Sequence, residues 1–171
     1  MKVQVQKLEK YIEIYKIFKI LMAQENYKKN KISFLDSSLK NKYGKFSIIG
    51  IDPYLELKEE DKKFYINDKL SNENFENYLD KILKENREDN NTNLPLISGG
   101  IAYFSYDYGR KFENIKSKHQ KDLKIPEAVV RFYKIYIIED IEKKEIYISY
   151  QDEEDYQNLL GLLNNSQINE E

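Results

Sequence analysis

The sequence predicts an α+β fold in which mostly antiparallel strands carry helices on the outside. Runs rich in Val, Ile, Tyr and Phe outnumber stretches with helical spacing, and they follow one another closely along the chain. Strands in such local runs tend to pair antiparallel, whereas a wound parallel sheet needs regular alternation of strands and helices. No internal repeat is visible in the 171 residues.

The first half of the chain predicts one helix and several short strands. Val3 and Val5 alternate with polar residues, as in a short strand. Apolar residues at helical spacing predict a helix within residues 9–25. Further strands, separated by charged or polar turns, are expected at residues 32–36, 46–52, 54–57 and 64–66.

The second half predicts a helix, a strand, a hairpin and a final helix. Ser71 is a suitable N-cap for an amphipathic helix that ends near Asn86. Asp152 is expected to cap the last helix, which runs through Leu163. Strands rich in β-branched and aromatic residues are expected at 99–106, 128–140 and 145–150, the last two forming the hairpin.

Composition limits the class of protein. The length favours a single domain, residues 1–171, that is large enough to bury a core. The net charge is −2, from 28 basic and 30 acidic residues of mixed order, which gives no electrostatic case for nucleic acid or an anionic membrane. Cysteine is absent, which excludes disulfides and thiolate chemistry. Without a membrane-length apolar run or a signal peptide, a cytoplasmic location is expected.

The segment FLDSSLKNKYGKFSIIGIDP carries the densest pattern in the chain. Its two apolar runs are joined by a polar connecting segment, residues 36–45, which we call the polar crossing. This segment contains the hydroxyl of Ser37, the cation of Lys45 and the backbone of Gly44, which has no side chain. The rings of Tyr43 and Phe46 lie at the end of that crossing. Such a set suits a small zwitterion with an aromatic side chain, whose burial would contribute about 5 kcal/mol. The alternative is two ordinary core strands joined by a turn.

Three segments follow the motif order of one enzyme family. Residues 34–37 and 44–53 match L-L-D/E-S and G-R-Y/F-S-I/F-I/L-G-x-D/N-P. Residues 99–113 resemble G-G-x-x-G-Y-x-x-Y-D-x-G-R-x-x-E, and residues 125–127, with Pro126 in the middle, resemble an L-P-D element with its following strand. The chain therefore resembles component I of the chorismate-utilising enzymes anthranilate synthase and aminodeoxychorismate synthase. The form of the Tyr-Asp-x-Gly-Arg motif, with Gly109, is closer to the aminodeoxychorismate branch.

This resemblance implies two packed, mostly antiparallel sheets, a sandwich with flanking helices. It also implies the N-terminal, non-catalytic domain of an enzyme that aminates chorismate for p-aminobenzoate and folate synthesis. Its partners would be a C-terminal chorismate-binding domain, where Mg²⁺ would bind, and a glutamine amidotransferase that supplies ammonia. The sequence lacks the motifs of that C-terminal domain, so we assign no catalytic residue, metal ligand or cofactor to this chain. The alternatives are anthranilate synthase component I with tryptophan feedback, and a free-standing amino-acid-binding module.

The resemblance further implies a tryptophan site made by Ser37, Tyr43, Gly44, Lys45 and Phe46. Lys45 stands where Arg is usual in the family, which replaces a two-point contact to a carboxylate by a single point charge. In the family this pocket is completed by the C-terminal domain. In the aminodeoxychorismate branch tryptophan is not the pathway product, so a structural role for it is expected.

Other polar positions are expected to be structural. Gly99 and Gly100 precede a strand rather than a helix, which indicates close backbone approach instead of a phosphate loop. Asp107 and Arg110 are expected to pair locally or to cap a short helix. His119, the only histidine, is expected in an exposed loop.

Overall fold

The computed structural model describes residues 2–27, 32–39, 43–113 and 125–167. His119 and the rest of its basic loop lie outside these ranges. The strands are β1 (Gln4–Lys7), β2 (Ile32–Leu35), β3 (Phe46–Glu60), β4 (Lys63–Ile66), β5 (Lys69–Ser71), β6 (Gly100–Phe104), β7 (Ala128–Asp140) and β8 (Glu145–Tyr150). The helices are α1 (Ile14–Ala23), α2 (Phe75–Glu85), α3 (Arg110–Glu113) and α4 (Glu153–Gln167), with 3₁₀ turns at Glu25–Tyr27 and Tyr106–Gly109.

The strands pair antiparallel, which confirms the predicted α+β class with flanking helices. Hydrogen bonds link the described strands into one sheet of order β1-β8-β7-β3-β4-β5, with β2 on β3 and β6 on β7. The expected division into two sheets is corrected here, because β3 and β7 are long enough to serve different partners along their length. Thus β3 pairs with β2 at residues 48–51 and with β4 at 57–60.

The described residues form two compact units, and β3 and β7 contribute to both. Unit 2 comprises residues 54–87 and 100–132. Unit 1 comprises the rest of the described chain, within 1–53, 88–99 and 133–171. No helix among the described residues is long and apolar enough to cross a membrane.

The core of unit 1 is built from two helices and the strands that they cover. On α1 the buried residues Ile14, Ile17 and Leu21 recur at helical spacing, and on α4 Leu159 and Leu163 lie one turn apart. These side chains pack with buried residues of β3, β7 and β8, namely Ile49, Ile51, Ile135, Ile137, Ile146, Ile148 and Tyr150.

The core of unit 2 is more aromatic. Phe75 at the start of α2 is 1% exposed, and the edge of one ring meets the face of the other between Phe75 and Phe64, at a centroid separation of 5.4 Å. Tyr108 meets Phe75 in the same manner at 6.2 Å. The other buried members of this cluster are Leu57, Ala128, Val130 and Phe132.

The second predicted helix begins later than expected. Ser71 ends β5, where it is the register partner of Phe64, so the chain must leave the sheet before a helix can start. The N-cap is Asn74, whose side chain accepts a hydrogen bond from the amide of Asn77 at 2.9 Å. The predicted end near Asn86 is confirmed, because Asn86 is the C-cap.

The predicted break at Asp52 and Pro53 is wrong, because β3 continues through both residues. Asp52 adopts a φ of 55°, a left-handed conformation that Asp tolerates better than most residues. The strand is therefore interrupted locally rather than ended. At the other end of the chain the predicted cap is confirmed, since the Asp152 carboxylate accepts hydrogen bonds from the amides of Glu154 and Asp155.

Gly161 offers a stabilising substitution. It lies exposed on α4, and an added Cβ would meet no atom within 4 Å. Gly161→Ala is expected to raise the free energy of unfolding by about 0.5–1 kcal/mol, because alanine restricts the unfolded chain and favours helix. Urea denaturation should show a higher midpoint with an unchanged slope. A lower midpoint would contradict an open helix face at this position.

Candidate functional site

The predicted site lies where β2 ends and β3 begins. The amide of Ser37 donates a hydrogen bond to Ser47 Oγ at 3.0 Å, and the hydroxyl of Ser37 donates to the carbonyl oxygen of Phe46 at 2.6 Å. The buried Ser47 in turn donates to a carboxylate oxygen of Asp36 at 3.1 Å. These hydrogen bonds therefore connect residues 36–37 to residues 46–47, beyond the end of the β2–β3 ladder at Leu35 and Ile48.

These bonds define what the Ser37 hydroxyl can offer to a ligand. A serine hydroxyl has one hydrogen and two acceptor lone pairs, and the hydrogen is already directed at the Phe46 carbonyl. The hydroxyl oxygen can therefore accept from a ligand but cannot donate without breaking that bond. This chemistry matches an ammonium group rather than a carboxylate.

Gly44 occupies a position where no side chain fits. A Cβ there would lie 2.3 Å from the carbonyl oxygen of Leu39 and 3.6 Å from the Cβ of Ser37. The close atom belongs to the backbone, so it cannot rotate away as a flexible side chain would. Gly44 thus allows the backbone to lie close to Leu39 and to Ser37.

The structure separates the five predicted site residues into two groups. Ser37, Gly44 and Phe46 lie together, whereas Tyr43 is 82% exposed and Lys45 is also exposed. The carbonyl of Lys45 accepts a hydrogen bond from the amide of residue 141 at 3.0 Å. Nearby apolar side chains are also exposed, Leu39 at 72% and Leu35 at 50%. The hydrogen-bonded groups of Ser37 and Ser47 thus lie beside an open rim of exposed apolar side chains, those of Tyr43, Leu39 and Leu35.

A second polar cluster, in unit 2, escaped the sequence analysis. The ammonium of Lys111 lies 2.8 and 2.7 Å from the two carboxylate oxygens of Glu59 and also bonds to Glu76. It sits 4.5 Å from the ring centroid of Tyr108 and 5.4 Å from that of Phe112. These acidic residues are far from Lys111 in the sequence, and neither belongs to a recognisable motif, so only folding brings them together.

The ionisation of this cluster follows from its contacts. Burial favours the neutral form of Glu76, but hydrogen bonds from Lys111 and Tyr108 outweigh it and lower the pKa of Glu76 to about 2. Burial and the hydrogen bond to Glu76 raise the pKa of Tyr108. Burial opposes the charge of Lys111, yet its two carboxylate partners raise its pKa overall. At neutral pH Glu76 and Lys111 are therefore charged, and Tyr108 keeps its proton.

Glu76→Gln is expected to reduce stability in a pH-dependent way. The pKa of Glu76 is lowered on folding from 4.5 to about 2, so its contribution is complete above pH 4.5 and is lost as the pH falls towards 2. After allowance for solvent screening, the loss at pH 7 should be about 1–2 kcal/mol and should shrink towards zero near pH 2. Denaturant titrations at several pH values provide the measurement.

Asp80→Asn is the matched control for that series. Asp80 also lies on α2 and pairs with Lys84 at 2.6 Å, but both side chains are more than half exposed. Its removal should change the free energy of unfolding by about 0.5 kcal/mol or less at every pH. An equal loss in both variants, or a loss in Glu76→Gln that does not decline in acid, would contradict the account of Glu76.

The remaining polar positions are structural in the ways that the sequence predicted. Arg110 pairs with Asp107 at 3.1 Å, which confirms the local ion pair. Gly99 has a φ of 125°, and a Cβ on Gly100 would lie 2.8 Å from a methyl group of Val130. The paired glycines thus provide an unusual backbone conformation and a close approach.

A cavity of about 230 Å³ also lies in unit 1, and none of the five predicted site residues is part of its lining. Its lining includes Leu94 and Tyr147, together with Asp140 and Lys143. Asp140 and Lys143 form an ion pair at 3.0 Å across the hairpin turn, and the Asp140 carboxylate accepts a hydrogen bond from the amide of Lys143. Both side chains therefore stabilise the turn. Among the described residues, no group of three or more acidic or histidine side chains is arranged to hold a metal ion.

Comparison with known proteins gives relatives of one kind. The chain is 28% identical over 141 residues to anthranilate synthase component 1 of Lactococcus lactis subsp. lactis (strain IL1403), covering 78% of this chain and 31% of the relative. It is 26% identical over 132 residues to anthranilate synthase component 1 of Acetivibrio thermocellus, covering 72% and 27%. It is 33% identical over 60 residues to aminodeoxychorismate synthase component 1 of Klebsiella aerogenes, covering 34% and 13%. No protein-family model matches.

A solved structure shows the same fold. The crystal structure of anthranilate synthase component I from Streptococcus pneumoniae TIGR4 superposes with a TM-score of 0.62 at 20% identity, over 75% of this chain and 31% of that one. This chain therefore spans about a third or less of the length of its relatives.

All of these relatives are component I chains of synthases. The chain is similar to the component I chains of anthranilate and aminodeoxychorismate synthases over their N-terminal region. The resemblance in the ordered motifs is thereby confirmed.

Proposed function

We propose that this chain is the N-terminal, non-catalytic domain of an aminodeoxychorismate synthase component I and that it holds free tryptophan at Ser37. The observation that carries the tryptophan site is the geometry at that residue. A half-buried hydroxyl with its hydrogen already engaged faces a crossing that only glycine allows at Gly44. The Tyr-Asp-x-Gly-Arg motif at residues 106–110 and the 33% identity to the Klebsiella protein favour the aminodeoxychorismate branch.

The proposed ligand uses each part of the site differently. Its ammonium donates to the hydroxyl oxygen of Ser37, since that oxygen has acceptor capacity left. Its carboxylate pairs with the exposed ammonium of Lys45, a contact of modest strength in solvent. Its indole, with about 200 Å² to bury, lies against Phe46 and the exposed side chains of Leu39 and Tyr43, for a gain of about 5 kcal/mol before ordering terms.

The openness of the rim supports a site that another surface completes. With Tyr43 at 82% and Leu39 at 72% exposure, a bound indole would keep one face in water. In the proposed enzyme the C-terminal chorismate-binding domain covers that face. Tryptophan then joins two domains, a structural role in a branch where it is not the product.

The chemistry of the proposed parent enzyme resides outside the described residues. That enzyme transfers an amino group, from ammonia, to chorismate on the route to p-aminobenzoate and folate. A glutamine amidotransferase supplies the ammonia, and this domain would brace the catalytic domain and help to dock that partner. Mg²⁺ would bind in the C-terminal chorismate-binding domain of that enzyme. No step of the reaction is therefore assigned to this chain.

Anthranilate synthase component I is the second candidate. The two relatives of that name cover 78% and 72% of this chain, more than the aminodeoxychorismate relative covers. In that enzyme the same site at Ser37 would bind the end product of the pathway, and binding would inhibit the reaction. The two candidates share the fold and the ligand and differ in the reaction that follows.

Complementation tests the choice between these functions. The complete gene product, with its encoded partner, is expressed in bacteria that lack one or the other component I. We expect growth without p-aminobenzoate and no growth without tryptophan. The reverse pattern would select anthranilate synthase. Failure in both strains, together with a reading frame that ends at residue 171 and no separate catalytic half, would leave only the amino-acid-binding module.

A further inference from the structure

Gly50 on β3 has no room for a side chain because of one tyrosine. An added Cβ would lie 2.6–2.9 Å from three ring atoms of Tyr133. Tyr133 is 2% exposed, so its ring cannot turn into solvent to relieve that contact. Gly50 itself has no positive φ, which means that backbone conformation does not require glycine there. The residue is thus explained by the ring that lies against it.

The same tyrosine reaches across to the neighbouring strand. Its hydroxyl shares a hydrogen bond with the hydroxyl of Ser33 on β2. Ser33 is the register partner of Gly50, so the ring passes over the glycine and ends at the residue directly opposite. Gly50, Tyr133 and Ser33 therefore make a set of contacts across the β2–β3 pair that only this register allows.

Contacts that depend on the register matter in a strand as short as β2. The ladder between β2 and β3 has four residue pairs, and in the described part of the chain β2 pairs with β3 alone. A slip of this ladder by one residue turns every side chain of β2 to the other face. A slip would also remove Ser33 from Tyr133 and bring a larger residue opposite Gly50.

We propose that Tyr133 is a positioning residue for the tryptophan site, acting through the register of β2. The strand leads directly to Ser37, whose amide must meet Ser47 and whose hydroxyl must meet the Phe46 carbonyl for the site to form. Both contacts join the β2 side to the β3 side, so both depend on the register that Tyr133 fixes. This inference rests on the proposed function of the Ser37 site.

Tyr133 is itself held by contacts that do not involve β2. Its amide donates to the hydroxyl of Tyr136 at 3.2 Å, and that hydroxyl donates to the carbonyl of Gly99. The two rings meet edge to face, with centroids 5.8 Å apart and planes at 81°. The tyrosine is therefore fixed from β7, and β2 is positioned against it.

Tyr133→Phe in the complete gene product tests the inference, with Tyr150→Phe as the matched control. Both changes remove one hydroxyl from a tyrosine that is 2% exposed, but the hydroxyl of Tyr133 contacts Ser33 on β2, whereas that of Tyr150 donates to Glu153. We expect amide exchange at Ser37, followed by NMR, to rise about tenfold in Tyr133→Phe, and the tryptophan dissociation constant to rise by a similar factor. In Tyr150→Phe both quantities should change by about threefold or less.

A coupling measurement sharpens the result. Ser33→Ala should reproduce the effect of Tyr133→Phe, and the double variant should be no worse than either single one, since all three lack the same bond. Equal effects of the two tyrosine variants, or unchanged exchange at Ser37 in Tyr133→Phe, would overturn the positioning role while leaving the tryptophan site intact. An unsubstituted protein that binds no tryptophan would instead overturn the proposed function, and this inference with it.

Discussion

Replacing Phe75 with alanine is expected to lower the free energy of unfolding by about 3–5 kcal/mol. Phe75 is 1% exposed and packs edge to face with Phe64 and Tyr108, so the smaller side chain leaves a cavity in the core of unit 2. The ring also lies 5.9 Å from the ammonium of Lys111, which loses one of its aromatic neighbours. Denaturant-induced unfolding, followed by circular dichroism, gives the measurement.

Phe112→Ala is the control for that result. Phe112 contacts the same ammonium at 5.4 Å, but its ring is 64% exposed. Its truncation should change stability by less than about 1 kcal/mol, since little area is removed from contact with the core. A loss as large as that of Phe75→Ala would show that the cation, rather than core packing, governs the stability of this unit.

Gly44→Ala is expected to abolish the tryptophan site. The new methyl group would fall 2.3 Å from the carbonyl oxygen of Leu39, a backbone atom, so the polar crossing must move away from Ser37. We expect tryptophan affinity to fall by more than about tenfold and stability to fall by about 1–2 kcal/mol, in line with overpacking. Calorimetric titration of the complete gene product measures the first effect, and denaturant unfolding measures the second.

Gly161→Ala serves as the reference, because it makes the same chemical change where no atom lies within 4 Å. It should leave tryptophan binding unchanged. If Gly44→Ala bound tryptophan as tightly as Gly161→Ala, the close approach at Gly44 would have no part in the site.

Elements with strong local signals could be predicted from the sequence. The β7–β8 hairpin follows from two runs of β-branched and aromatic residues around a charged turn, and the start of α4 follows from Asp152. The ion pair of Asp107 and Arg110 needs only their spacing. In each case the partners are close in sequence, so a single segment contains the whole signal.

Features that depend on distant partners could not be predicted. The β3 strand continues through Pro53, although proline is a local signal for a break, and distant segments pair with it before and after that residue, β2 at 48–51 and β4 at 57–60. The Lys111 cluster joins two helices, α3 and α2, to the strand β3, and the sequences of these elements carry no shared pattern. At the site the sequence predicted the hydroxyl of Ser37 but not its direction, because the Phe46 carbonyl that receives its hydrogen carries no sequence information.

Tryptophan titration of the complete gene product, with and without Ser37→Ala, tests the central claim most directly. We predict saturable binding that weakens about tenfold to a hundredfold in Ser37→Ala, because the ligand ammonium loses a charge-assisted hydrogen bond. Ser38→Ala, at the adjacent exposed serine, should bind as the unsubstituted protein does. Binding of equal strength in all three proteins, or no binding in any, would contradict a tryptophan site at Ser37.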